Sequence, residues 1–297
     1  LKKIGRLLTA MVTPFDEEGK VDYEQAKRLA LALLNSGSEG LVVVGTTGES
    51  CTLRREEELR LFTEIKSAVG ERGTVIAGTG SNNTAEALEA TKAAEGTGVD
   101  ACLLVVPYYN KPTQEGLYQH FKTIAQQTNL PCILYNVPSR TVVSLSADTV
   151  IKLSHVDNII GVKEASGNLG EIANIINNTD SDFIVWSGND GDTLPILALG
   201  GYGAVSVASQ LVGKQIREMI DSFTSGNTEK AASIHRHLLP LIKALFIISN
   251  PIPIKYALNY VGFNVGKPRL PLTEPDEKSA AFIRDTLKNY QIDLPIG

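Results

Sequence analysis

Short apolar, β-branched runs recur along the chain at residues 7–12, 40–44, 74–78, 101–106, 132–136, 159–163, 183–187 and 204–207. Each is too short for a typical helix, and most are apolar on both faces, the pattern of strands buried on two sides. The segments between them carry helical spacing. In 56–69, Leu59, Phe62, Ile65 and Val69 fall on one face. Glu56, Glu57 and Glu58 suit a first turn, where carboxylates oppose the positive end of the helix dipole. Residues 22–36 repeat the pattern and stop at Gly37. Eight strands alternating with helices predict an α/β fold, a (β/α)8 TIM barrel. A doubly wound sheet is the competing reading, but no Gly-x-Gly-x-x-Gly turn follows the first strand. Beyond Gly226 the strands stop. Residues 228–248 read as a helix with Ile234, Leu238, Leu241, Ile242 and Leu245 on one face and a kink at Pro240. Two further helices are expected at 254–261 and 275–290. The chain therefore divides into a catalytic barrel, 1–226, and a C-terminal helical region, 227–297.

Composition narrows the class. The 297 residues are 43% hydrophobic and 21% charged, ordinary for a globular protein. No uncharged apolar stretch reaches the roughly 18 residues a membrane span needs. The run 238–254 comes near, but Pro240, Lys243, Asn250, Pro251 and Pro253 interrupt it. Residues 1–6 carry no signal-peptide core. The net charge of −5 comes with no basic stripe, so nucleic acid is not an expected partner. Cys51, Cys102 and Cys132 are odd in number and far apart, which argues against a disulfide framework and for a reducing cytoplasm. The Cys spacing fits no zinc site, and His235 and His237 diverge on a helix, so no metal is expected.

Barrel enzymes carry their chemistry at the C-terminal ends of the strands. Those ends hold Thr46 and Thr47, Tyr108 and Tyr109, Tyr135 with Arg140 beyond it, Lys163, Gly188 and Val205. Lys163 closes the apolar run 159–163. Desolvation there disfavours an ammonium, and a neutral amine can attack a carbonyl to form a Schiff base. An ion pair with Glu164 or another carboxylate is the alternative. The turn Gly45-Thr46-Thr47-Gly48-Glu49-Ser50 offers hydroxyls and backbone N–H groups to a carboxylate, or is a plain turn with Thr52 capping the next helix. Tyr109 and Tyr135 could carry protons or simply pack. Arg140 could clamp a carboxylate or lie free on a loop. Gly200, Gly201 and Gly203 precede the eighth strand, on the opposite face, and read as a helix terminator and tight turn.

Five motifs together resemble the dihydrodipicolinate synthase / N-acetylneuraminate lyase family of Schiff-base barrels. They are Gly45-Thr46-Thr47-Gly48-Glu49, Pro107-Tyr108-Tyr109-Asn110, Tyr135-Asn136-Val137-Pro138-Ser139-Arg140-Thr141, Gly161-Val162-Lys163-Glu164-Ala165 and Asn250-Pro251-Ile252-Pro253. They run through most of the chain in family order. The resemblance implies that Lys163 forms an imine with pyruvate and that Thr46, Tyr109 and Tyr135 relay protons. It assigns pyruvate binding to Thr47 and Val205, with Gly188 nearby, and the carboxylate of L-aspartate 4-semialdehyde to Arg140. Sibling lyases tend to have Ser-Thr in place of Thr46-Thr47 and lack an Arg at position 140. The implied reaction is therefore condensation to 4-hydroxy-tetrahydrodipicolinate, in lysine and diaminopimelate biosynthesis, without metal or organic cofactor. A pyruvate-releasing sugar-acid aldolase or N-acetylneuraminate lyase is the nearest rival, and a non-catalytic metabolite-sensing barrel is a rival of another class. The family also implies a homotetramer, a dimer of dimers, in which Tyr109 enters the neighbour's site. In lysine-inhibited relatives the effector lies near the positions of Ser50, Cys51, Arg55, Glu58, Asn82, Glu86 and Tyr108. The regulated bacterial form has His at positions 55 and 58, so Arg55 is expected to crowd the lysine ammonium or compete with it for Glu86, while Glu58 could offer the ammonium a partner but cannot restore the pocket shape that Arg55 alters. Inhibition is expected to be weak or absent. A further departure is that Phe246-Ile247-Ile248-Ser249 replaces the acidic residue usual before Asn250-Pro251.

Overall fold

The eight apolar runs form strands β1 (Leu7–Ala10), β2 (Gly40–Val43), β3 (Thr74–Gly78), β4 (Ala101–Val105), β5 (Cys132–Asn136), β6 (Ile159–Glu164), β7 (Ile184–Ser187) and β8 (Gly203–Ser206). They pair in parallel in sequence order, and β8 returns to β1 to close the barrel. The computed structural model describes residues 4–295, so expectations for 1–3 and 296–297 lie outside the described residues.

The helices are α1 (Tyr23–Asn35), α2 (Arg55–Val69), α3 (Thr84–Glu95), α4 (Gln114–Ala125), α5 (Pro138–Thr141), α6 (Ala147–Leu153), α7 (Leu169–Asn177), α8 (Thr193–Ala198) and α9 (Ser209–Thr224). A short polar residue starts many of them: Asp22, Asn83, Thr113, Ser146 and Asn168 each accept a backbone N–H left free in the first turn. Helix α2 begins instead at Arg54, whose N–H donates to Glu57 Oε2 at 2.9 Å, and not at a Thr52 cap. Its buried face is Leu61, Phe62, Ile65 and Val69. Leu59 is only half-buried, because the arc against the barrel is centred nearer Leu61.

The C-terminal region is helical: α10 (Thr228–Leu245), α11 (Ile252–Tyr260) and α12 (Glu277–Leu287). Helix α10 packs along α9 and α12. Pro240 has no N–H and its ring crowds the preceding turn, yet α10 continues through it. The Tyr290 hydroxyl fills the break, donating to His237 O at 2.6 Å and accepting from Leu241 N at 3.3 Å. A side chain thus bridges one rung of the helical ladder. Among the described residues no helix is long and apolar enough to cross a membrane. The cysteines are free. Cys102 and Cys132, distant in sequence, are register partners on β4 and β5 with sulfurs 3.4 Å apart.

Candidate active site

Parallel pairing of β5 with β6 sets Tyr135 beside Lys163 and Asn136 beside Glu164. Lys163 and Tyr135 are both only 6% exposed, and Lys163 Nζ lies 4.0 Å from the centre of the Tyr135 ring. β6 runs one residue past Lys163. Glu164, the partner an ion-pair reading would give that lysine, accepts instead from Asn136 Nδ2 at 2.6 Å and Ser166 Oγ at 2.5 Å. Burial raises the Glu164 carboxyl above the usual range, with the Ser166 and Asn136 bonds pulling it back. The Asn136 bond ties β5 to β6 one position beyond the Tyr135–Lys163 pair.

Gly188 follows β7, and its N–H donates to Glu164 O at 2.6 Å. A Cβ there would meet Ala165 Cβ at 2.8 Å and Lys163 Cε at 3.1 Å, so any side chain would press on the lysine. Val205, buried in β8, pairs with Leu8 of β1. Asp190 takes hydrogen bonds from Ser206 Oγ and, at 3.0 Å each, from Val207 N and Ala208 N. Burial raises its carboxyl, while those bonds and the charge of Lys163 oppose the rise.

On the other side of the barrel mouth, the turn after β2 carries Thr46, half-buried, and Thr47, buried. Thr47 Oγ1 accepts from Asn250 Nδ2 at 2.9 Å. The Asn250 carbonyl in turn accepts from Arg140 Nη2 at 2.9 Å, which ties the short helix α5 to the same junction. Thr46 and Tyr135 share the wall of a cavity of about 180 Å³. Ser50, Cys51, Arg55, Glu58, Glu86 and Tyr108 line its outer part, and Asn82 Nδ2 donates to the Tyr108 carbonyl at 3.0 Å. Arg55 does not contest Glu86. It pairs with Glu58 at 2.6 Å, while Glu86 accepts from Ser81 and Asn83. Burial pushes the Glu58 carboxyl up to about 7 despite that pair. Tyr109 stands apart from this cavity, 87% exposed and with a left-handed backbone, φ 75°. Among the described residues no group of three or more His, Cys, Asp or Glu could hold a metal ion.

The sequence reading gave no role to Asn250, Lys255 or Asp190. Asp190 stands three residues beyond the end of β7, where the barrel rule could have found it. Lys255 left only a faint signal, one charge inside the apolar stretch of α11. Its ammonium meets Glu49 Oε1 at 2.8 Å, with both side chains 1% exposed. Burial brings Lys255 down to about 8, with Glu49 opposing the fall.

A (β/α)8 barrel with one buried lysine at a strand end, packed on a tyrosine that shares a cavity wall with a threonine turn, defines a class of enzyme suited to imine chemistry on small carboxylates. The chain belongs to the dihydrodipicolinate synthetase family, whose profile matches residues 3–290. It is 71% identical over 296 residues to a 4-hydroxy-tetrahydrodipicolinate synthase of Dehalococcoides mccartyi, covering 100% of both chains. It superposes on a dihydrodipicolinate synthase of Bacillus anthracis with a TM-score of 0.96 at 46% identity, covering 98% of this chain and 100% of the other. The enzyme of Cyanidioschyzon merolae, solved with lysine bound, gives 0.95 at 48% identity, covering 96% and 98%.

Proposed function

We propose that this chain is a 4-hydroxy-tetrahydrodipicolinate synthase, condensing pyruvate with L-aspartate 4-semialdehyde. The observation that carries the reading is Lys163 itself: 6% exposed, packed on Tyr135, with Gly188 leaving space beside its Cε. Its relatives' shared name supports the choice of reaction. Lys163 Nζ attacks the pyruvate ketone, and water leaves as the imine forms. Loss of a methyl proton gives the enamine, whose carbon adds to the aldehyde. The amine of the second substrate then displaces Lys163 and closes the ring. Each step moves a proton, which Tyr135, Thr46 and Tyr109 relay. Thr47 and Val205 hold pyruvate, with Gly188 beside them, and Arg140 holds the carboxylate of the semialdehyde. The residues divide into a barrel, 1–226, that carries the nucleophile and a helical region, 227–297, that braces its rim.

The enzyme works in the cytoplasm as a tetramer, a dimer of dimers. The exposed Tyr109 supports this, since it is free to reach a neighbour's site. The test is borohydride reduction in the presence of pyruvate, followed by peptide mass analysis. A single adduct at Lys163 is expected. An adduct on another lysine, or none, would refute the assignment. Assays with aspartate semialdehyde and with sugar acids, run side by side, separate the synthase from its aldolase siblings.

A further inference from the structure

Glu49 ends the threonine turn in the left-handed region, at φ 58°, and Val44 before the turn is left-handed too, at φ 59°. Neither is glycine, so the surroundings must hold the backbone there. Both Glu49 oxygens are used: Oε1 by Lys255 Nζ at 2.8 Å and Oε2 by Arg269 N at 2.9 Å. The Lys255 ammonium spends its other two protons on Thr13 O at 3.0 Å and Lys267 O at 3.1 Å. Its cation also lies 4.0 Å from the centre of the Phe15 ring. Thr13 Oγ1 donates back to Gly48 O at 2.6 Å. One nitrogen therefore joins the end of β1, the turn after β2 and the segment after α11. Asn250, just before α11, grips Thr47 in the same turn. An ion pair this buried adds little net stability, because desolving two charges offsets their attraction. What it does supply is a fixed geometry. Resting on the reading of this turn as the pyruvate-carboxylate site, we propose that Lys255 and Glu49 are positioning residues, which fix the Thr46-Thr47 turn so that pyruvate is presented to Lys163.

The test uses the full-length enzyme and the variants Lys255→Met, Glu49→Gln and the double Glu49→Gln/Lys255→Met. Lys66→Met serves as comparator, since Lys66 pairs at 2.8 Å with Asp100, away from the turn. Imine formation is followed by borohydride trapping at graded pyruvate, with the KM for aspartate semialdehyde and urea stability measured alongside. Lys255→Met should raise the pyruvate needed for half-trapping by about tenfold and leave the semialdehyde KM within about threefold. The double variant, free of an unpaired buried charge, should recover stability and not pyruvate affinity. Lys66→Met should lose stability alone. If affinity recovers with stability in the double variant, or Lys66→Met shifts pyruvate equally, the pair is only structural and the inference fails. Should the Lys255 variants not fold, Thr13→Val removes just the bond to Gly48 O and should cost about fivefold in pyruvate; no change would overturn the proposal. Absence of any Lys163 adduct in the unaltered enzyme would instead refute the reading on which it rests.

Discussion

His120 makes acid a specific threat to this barrel. The imidazole is 5% exposed between α3 and α4, with Nδ1 2.9 Å from Thr84 Oγ1 and Nε2 without a partner. The edge-on Phe121 ring adds no acceptor. Burial lowers its pKa from 6.5 to about 4. The folded state thus refuses a proton that the unfolded chain accepts. The resulting stability is full above pH 6.5 and is lost as pH falls through about 4. Linkage gives about 3 kcal/mol for the whole shift, and about 2 kcal/mol between about pH 7.5 and about pH 5. Buried carboxyls that are raised on folding, Glu58 among them, act with the opposite sign over the same range. The useful quantity is therefore the difference between the unaltered protein and His120→Asn, which keeps a polar atom toward Thr84 and cannot titrate. Urea unfolding of both at the two pH values should show the variant less stable near neutrality, from lost packing, and the gap narrowing by about 2 kcal/mol in acid. A gap that is the same at both values would refute the reasoning.

Lys163→Ala should abolish synthase activity, with circular dichroism unchanged and no borohydride adduct. Arg140→Ala should lower kcat/KM for the semialdehyde by about 30-fold, the worth of about 2 kcal/mol, while pyruvate trapping changes far less. Equal damage to both would mean that its bond to Asn250 O matters more than substrate contact. Tyr109→Phe should lose activity without dissociating, as read by sedimentation, because only the hydroxyl is removed. Lysine should inhibit weakly or not at all, since Arg55 already occupies Glu58 one turn along α2 and coupling of about 1–3 kcal/mol is easily erased. Strong inhibition at saturating pyruvate would show that the ligand displaces this pair.

The strands were legible because burial on two faces leaves no room for polar positions, so each run announces itself and ends within a residue or two of the true boundary. Lys163 was legible for the same reason, as a charge closing an apolar run. The alternative of a Glu164 ion pair fell to a partner two strand positions could not reveal: Asn136, on the neighbouring strand. Glu49 and Lys255 lie 206 positions apart. Nothing local to either encodes that the barrel's closure will bring them together with their surroundings dry. Arg55 pairs with Glu58, one helical turn on, while Glu86 is held by Ser81 and Asn83, a division that spacing alone does not give. The burial of His120 on α4 depends on how α3 packs, which periodicity does not give.

The grip of α11 on the turn after β2 has a consequence in time. During synthesis the residues of β1 to β8, Lys163 included, all leave the ribosome before Asn250, Lys255 and Arg269 exist. A nascent barrel can close its hydrogen-bonded strands, but Thr47 Oγ1 and both oxygens of Glu49 then have none of the partners described above. Lys163 is made early, and the turn that we propose cradles its substrate is finished late. On the reading proposed above, everything after the eighth strand then belongs to the catalytic unit: a version cut there would keep the amine of Lys163 and lose the groups that hold Thr47 and Glu49.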